Sequence, residues 1–104
     1  MESKLKITGH AGTIEATMGD VVVGRLDFDV VDGHVHIMHT RTFAGNEGKG
    51  VGSFLVKEAI ALVQARGVKM KPVCSFAHAY VQRHPELAEL VLDKEPIGDW
   101  WQNE

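Results

Sequence analysis

The pattern of hydrophobic and polar positions changes near residue 45. In the first 44 residues, apolar and polar side chains alternate in short runs, at positions 5–7, 13–18, 21–30 and 35–43, with glycine-containing turns between them. Alternation with a period of two is typical of half-buried strands, and Asp32-Gly33 is typical of a two-residue hairpin turn. This part of the chain therefore predicts an antiparallel meander with short connections.

Helical spacing replaces the alternation after a glycine-rich segment, residues 45–52. The apolar positions that recur three or four residues apart are Val51, Leu55, Ala59 and Leu62. This spacing predicts an amphipathic helix that runs to about Arg66, with Gly67 just past its end.

The remaining pattern predicts a short strand and two short helices. Residues 68–74 form the strand, and Pro72 leaves part of it without a ladder partner. Ser75 caps a helix that ends near Arg83, and Pro85 lies in the first turn of another that ends near Leu92. A helix between two strands of one sheet makes a right-handed crossover, so the strands on either side of the long helix should be parallel.

These elements predict one α+β domain over residues 1–104. Its sheet is mixed, with an N-terminal antiparallel meander followed by β-loop-α-β-α. The last residues, 93–104, show no periodicity, and we expect Trp100 and Trp101 to dock on the domain or on a partner.

Composition narrows the class of protein. Hydrophobic residues make up 44% and charged residues 24% of the 104 residues, which is ordinary for a soluble globular chain. The single cysteine, Cys74, excludes an intrachain disulfide. There is no apolar run of the roughly 20 residues that cross a bilayer and no signal peptide at residues 1–4. We expect a cytoplasmic protein without a membrane partner.

The net charge of −3 is unevenly distributed along the chain. Residues 45–83 carry six Lys or Arg side chains and two Glu side chains, whereas the segments on either side are acidic. A basic middle in an acidic chain favours a local anionic ligand over duplex nucleic acid, which needs a broad basic face. Helix surfaces that are simply rich in lysine explain the same pattern.

Three glycines at alternate positions, Gly48, Gly50 and Gly52, lie where a strand leads into the long helix. Without side chains, they let a ligand approach the backbone N–H groups, and the helix N-terminus adds unpaired donors and partial positive charge. Such a loop suits a phosphate or a pyrophosphate. The spacing matches neither the dinucleotide fingerprint nor the Walker motif. A strand–helix turn without a ligand is the alternative.

The segment Gly48-Lys49-Gly50-Val51-Gly52, followed by an amphipathic helix, resembles the acetyl-CoA pyrophosphate loop of GNAT-type N-acetyltransferases. The motif of that family is Arg/Gln-x-x-Gly-x-Gly/Ala. Its last three positions correspond to Gly50, Val51 and Gly52. Its Arg/Gln position corresponds to Glu47, which departs from the pattern.

Three further motifs resemble the small single-domain members of that family, over residues 12–92. They are His39-Thr40 before the loop, Pro72-Val73-Cys74 after the long helix, and the run at 80–86 that contains His84-Pro85. The segment 41–43 departs from the Glu-Val-Pro that often follows His-Thr. The resemblance implies a twisted mixed sheet that splays at the strand before the glycine loop, with the pantetheine arm of acetyl-CoA in the splay.

The resemblance also implies an activity, which is the transfer of an acetyl group from acetyl-CoA to an amine. Cys74 would lie near the thioester, as acetyl carrier, as proton relay or as pocket lining, and a buried structural cysteine is the alternative. His39 would act as base or relay. The expected cofactor-binding residues are Thr42, Phe43, Gly48, Lys49, Gly50, Val51, Gly52, Ser53, His78 and Arg83.

Alternation along the strand bears on a possible metal site. His34 and His36 are expected to share one face and His39 the other, so we expect no metal there.

Two other classes of function stay open, an acyl-CoA-binding module without turnover and a protein-interaction domain. The acceptor is left open between a protein N-terminus, a lysine side chain and a polyamine, and no oligomeric state is predicted.

Overall fold

A five-stranded sheet organises residues 1–92, which are the residues that the computed structural model describes. The antiparallel strands, in spatial order, are β1 (Glu2–Thr8), β2 (Ala11–Met18), β3 (Val21–Val31) and β4 (His34–Thr42). Helix α1 (Val51–Arg66) crosses to β5 (Met70–Pro72), which pairs with β4 in parallel. Helix α2 (Ser75–Gln82) and a 3₁₀ helix (Pro85–Leu90) follow. The predicted α+β class, meander and parallel crossover are confirmed.

The core lies between one face of the sheet and the two helices. Leu26 and Phe28 of β3 and Ile37 of β4 point to this face and pack with Leu55 of α1 and Ala77 of α2 in one buried cluster. Polar side chains alternate with them and occupy the other face, which no helix covers within residues 1–92. The apolar pattern of each strand therefore decides which face receives the helices.

The sequence predicted one hairpin turn and one helix end most sharply, and both are confirmed. Asp32 and Gly33 have φ angles of 53° and 81°, as a two-residue hairpin turn requires. Helix α1 ends at Gly67, whose φ of 65° is the left-handed cap conformation.

The chain after α1 differs from the prediction in two elements. Strand β5 is only three residues long, because the N–H groups of Val73 and Cys74 both turn to the carbonyl of Ile37 and the chain then enters α2. The segment at Pro85–Leu90 is a 3₁₀ helix rather than an α-helix to residue 92. The predictions for Trp100, Trp101 and the rest of the C-terminal segment concern residues outside the described range.

A β-bulge in β4 overturns one prediction. Phe28 pairs with Ile37 but Asp27 pairs with His39, so Met38 is an extra residue on β4. One inserted residue reverses the alternation beyond it, so His39 faces the same side as His34 and His36. The prediction that His39 faces away from the other two histidines is therefore wrong. Within residues 1–92, no group of three His, Cys, Asp or Glu side chains is placed to hold a metal ion.

The end of β5 opens the sheet next to the glycine loop. The last pair between the two strands is Ile37 with Pro72, and β4 continues for five residues beyond it to Thr42. The two strands therefore separate where β4 leads into the loop. None of the helices in residues 1–92 is long and apolar enough to span a membrane.

Candidate functional site

The glycine loop is an ordered turn that ends at the first residue of α1. Gly50 is the N-cap of α1 and has a φ of 77°, a conformation that residues with a Cβ rarely adopt. No side chain caps the helix, and the first bond of the turn runs from the N–H of Phe54 to the carbonyl of Gly50 at 3.0 Å. Within the described chain, the N–H groups of Gly48 and of residues 50–53 donate no backbone hydrogen bond, and residues 47–48 form a hydrogen-bonded turn. The loop therefore presents a row of backbone donors at a helix N-terminus.

Glu47 folds back onto its own loop. Its Oε1 atom accepts a hydrogen bond from the N–H of Gly45 at 3.0 Å. Lys49 also bonds within the loop, since its Nζ atom donates to Oδ1 of Asn46 at 3.2 Å. The carboxylate that departs from the family motif thus stabilises the turn.

A pocket of about 260 Å³ lies over this loop. Its walls come from the end of β4, the loop, the first turn of α1 and one side chain of α2. The lining residues are Thr42, Asn46, Glu47, Gly48, Gly50, Val51, Gly52, Ser53 and Phe76. Six of the predicted cofactor-binding residues are thus brought together.

The other predicted cofactor-binding residues do not line this pocket. The N–H of Phe43 donates to the carbonyl of Val23 at 2.9 Å, and the Lys49 side chain turns to Asn46. His78 lies one turn along α2 from Cys74, and Arg83 is the exposed C-cap of that helix. Their roles stay predictions.

The uncovered edge of β4 leads away from the loop. Because the N–H of Phe43 points toward β3, the alternation of a strand turns the main-chain groups of Thr42 and Thr40 to the opposite edge, where β5 has ended. Their side chains lie on the helix face of the sheet, since Thr40 pairs with the buried Leu26. This edge offers backbone donors and acceptors to a ligand in the splay between the two strands.

Cys74 stands at the far end of that edge. Its Sγ atom lies 3.4 Å from Oγ1 of Thr40 and accepts a hydrogen bond from the N–H of Ala77 at 3.4 Å. Cys74 is therefore the N-cap of α2, and the prediction that Ser75 caps this helix is wrong by one residue. Cys74 as a residue is half-buried.

The chain belongs to the GCN5-related N-acetyltransferase family. This follows from a match between the sequence model of that family, described as GCN5-related N-acetyl-transferase, and residues 13–90. The matched residues include the loop, the edge of β4 and Cys74, so the site described above lies within the matched part of the chain. A comparison with curated proteins found no match.

Solved structures share the fold of this acetyltransferase-family chain. A candidate acetyl transferase from Pyrococcus furiosus is 20% identical with a TM-score of 0.54, over 74% of this chain and 60% of the other. A candidate acetyltransferase of the GNAT family from Desulfovibrio desulfuricans is 17% identical with a TM-score of 0.52, over 76% and 54%. The match thus spans little more than half the length of those proteins.

On the opposite side of the sheet, His39 lines a groove of about 490 Å³. Asp27, directly across from His39 on β3, lies in the same groove, and its Oδ1 atom is 3.1 Å from Nε of Arg25. His39 and Cys74 therefore occupy opposite faces of the sheet, with the end of β4 between them. The bulge at Met38 puts His39 there.

Two of these features were missed by sequence reasoning. Nothing local in the sequence marks Met38 as a bulge, because the bulge depends on the pairing with β3. Phe76 was missed because an aromatic residue at the start of a short helix is usually part of the core. Its spacing of two residues from Cys74 was the available signal.

Proposed function

We propose that this member of the GNAT family transfers an acetyl group from acetyl-CoA to an amine. The observation that carries the proposal is the row of backbone N–H donors at the start of α1, which opens onto the uncovered edge of β4 with Cys74 at its far end. An acyl-CoA-binding module without turnover would use the same donors and the same splay, but it leaves His39 without a task.

The loop fits a pyrophosphate on its own chemistry. Charged oxygens are held well by several unpaired N–H groups at a helix N-terminus, and the N–H groups of residues 50–53 lie at the start of α1 without a backbone acceptor in the described chain. The Glu47 carboxylate is an unfavourable neighbour for phosphate, but its bond to Gly45 fixes it in the turn. We infer that the pyrophosphate binds through the backbone, with little help from side chains.

Acetyl-CoA, when bound, supplies an acetyl group already activated as a thioester. The chain's contribution is to hold that group and to polarise it. The N–H groups of Thr40 and Thr42 point to the splay, and a fixed backbone donor there stabilises negative charge on a carbonyl oxygen during attack. Such preorganised donors are typically worth about 10²–10³ in rate.

His39 is the group that we assign to proton transfer. An amine attacks only after it has lost its proton, and a neutral imidazole is a suitable acceptor near neutral pH. The acceptor approaches from the groove on the helix-free face, where His39, Thr13 and Asp27 form part of the wall. Cofactor and acceptor then meet from the two faces at the end of β4.

Cys74 has two possible tasks, which are to line the splay or to carry the acetyl group. Lining is the task we favour, because the thioester is already activated and direct attack by the amine needs one step fewer. The capping bond from the N–H of Ala77 gives this side chain a structural reason to be present without covalent chemistry.

The test is incubation of the protein with acetyl-CoA and a panel of primary amines. The panel contains a peptide with a free N-terminus, an N-blocked lysine peptide and a linear polyamine. The expected result is release of CoA thiol matched, mole for mole, by an acetylated amine in the mass spectrum. Binding of CoA without any acetylated product would instead favour a binding module.

A further inference from the structure

Phe76 is an exposed aromatic side chain in a place where packing would normally bury it. It is the second residue of α2, two residues after Cys74, and 37% of its surface is accessible. The tip of its ring lies directly against the backbone of Gly52. A Cβ at position 52 would be 2.7 Å from Cζ, 3.0 Å from Cε2 and 3.2 Å from Cε1 of Phe76.

These distances give Gly52 a different task from Gly50. Gly50 is needed for its positive φ, and a Cβ there would meet nothing within 4 Å. Gly52 has no positive φ, but any side chain would collide with the Phe76 ring. Gly52, in the first turn of α1, thus makes room for an aromatic ring from another helix.

The ring stands between the two ends of the site. Thr42 and Phe76 line the loop pocket together. The next side chain of β4 on the same face is Thr40, which contacts Cys74, the residue that caps the helix carrying Phe76. A ligand that runs from the loop donors to Cys74 along the edge of β4 must pass Phe76.

We propose that Phe76 is a cofactor-binding residue, whose ring forms an apolar wall against the pantetheine arm of acetyl-CoA. The inference rests on the proposed function. The arm carries methyl and methylene groups, which cannot accept hydrogen bonds from the loop N–H groups. An aromatic face removes these groups from water and packs against them. Phe76 thereby favours ligands that carry the arm over nucleotides that lack it.

The first arm of the experiment separates the two halves of the cofactor. Calorimetric titration is carried out with CoA and with adenosine 3′-phosphate 5′-diphosphate, the nucleotide that keeps the pyrophosphate of CoA and lacks the arm. Phe76→Ala should weaken CoA about tenfold, and change the affinity for the nucleotide less than about twofold. Phe76→Leu keeps an apolar wall and should lose little. The control Val21→Ala, an exposed apolar truncation on β3, should change neither affinity.

The second arm uses the contact with position 52, and its first variant leaves Phe76 itself unchanged. Gly52→Ala should push the ring from its place and weaken CoA in the parent protein. In the Phe76→Ala background the same change should have little further effect on CoA, because the two residues act as one unit. Equal losses in both backgrounds, with equal losses for the nucleotide, would mean that position 52 acts through the loop donors, and would overturn the inference.

The outcomes separate the two proposals. If the parent protein binds neither ligand, the proposed function fails and this inference falls with it. If the parent binds both and Phe76→Ala weakens both alike or neither, the proposed function stands and the role of Phe76 is overturned. The role of Phe76 as an apolar wall is supported if Phe76→Ala lowers the affinity for CoA alone and the effect of Gly52→Ala is not additive with it.

Discussion

The Oγ1 atom of Thr40 lies 3.4 Å from the Sγ atom of Cys74, and the two residues join the uncovered edge of β4 to the start of α2. The same thiol accepts the N–H of Ala77 at 3.4 Å. Cys74 is thus held between a strand and a helix and caps the helix as well. A change at this position acts on stability and on the splay at once, so the two effects have to be measured separately.

For Cys74, we compare replacement by alanine and by serine. Cys74→Ala removes the cap acceptor and should lower the free energy of unfolding by about 0.5–2 kcal/mol, whereas Cys74→Ser keeps an acceptor and should lose less. Urea denaturation measures this difference. Both variants should keep most of the acetyl transfer of the parent. An acetyl adduct on Cys74 after incubation with acetyl-CoA alone, together with loss of transfer in both variants, would show instead that the thiol carries the acetyl group.

At Gly50 a matched pair isolates charge from backbone strain. Asn and Asp both tolerate the left-handed conformation and have nearly the same shape, so Gly50→Asn and Gly50→Asp should be strained alike. Only Asp adds a negative charge beside the pyrophosphate. Gly50→Asp should therefore bind CoA at least about tenfold more weakly than Gly50→Asn by calorimetry. Identical affinities of the two variants would remove the loop from the phosphate site.

Glu47→Gln removes the charge but keeps an oxygen that can accept the N–H of Gly45. It should bind CoA as tightly as the parent or more tightly, with a larger gain at low salt, because salt screens the repulsion between exposed charges. Titrations at two ionic strengths measure this. Glu47→Ala, which also loses the bond in the turn, serves as the comparison. A clear loss of affinity for CoA in the Gln variant would contradict the correspondence of Glu47 with the Arg/Gln position of the family motif.

His39→Gln should separate proton transfer from cofactor binding. His39 lies on the face opposite the side chains of Thr40 and Thr42, so the affinity for CoA should change less than about twofold. Turnover should fall by about 10²–10⁴, the usual contribution of a general base. His36→Gln makes the same substitution on the same face of β4, but on the other side of the bulge at Met38. It should leave turnover nearly unchanged. Full activity of the His39 variant in steady-state assays would show that the proton leaves by another route.

The features that could be predicted from the sequence are those that local chemistry decides. Asp32-Gly33 and Gly67 require left-handed backbone, and the apolar spacing from Val51 selects one face of α1. These signals need no knowledge of the partner strand or helix, and the structure confirms all three.

The features that could not be predicted depend on residues that are distant in sequence. The bulge at Met38 follows from the pairing of β4 with β3, and it alone decides which face His39 occupies. Likewise, the cap moved from Ser75 to Cys74 because the bonds from Val73 and Cys74 to the carbonyl of Ile37 fix where α2 can begin. The contact between Gly52 and Phe76 joins two helices and left no mark in either segment.

The most direct measurement of the central claim is an NMR titration of the ¹⁵N-labelled protein with CoA. If the loop and the uncovered edge of β4 hold the cofactor, the amide signals of residues 48–53, Thr40 and Thr42 should move in proportion to occupancy. The amides of the turn at Gly9 and His10, on the far side of the sheet, should stay in place. Shifts confined to other parts of the chain, or none at saturating CoA, would contradict the account.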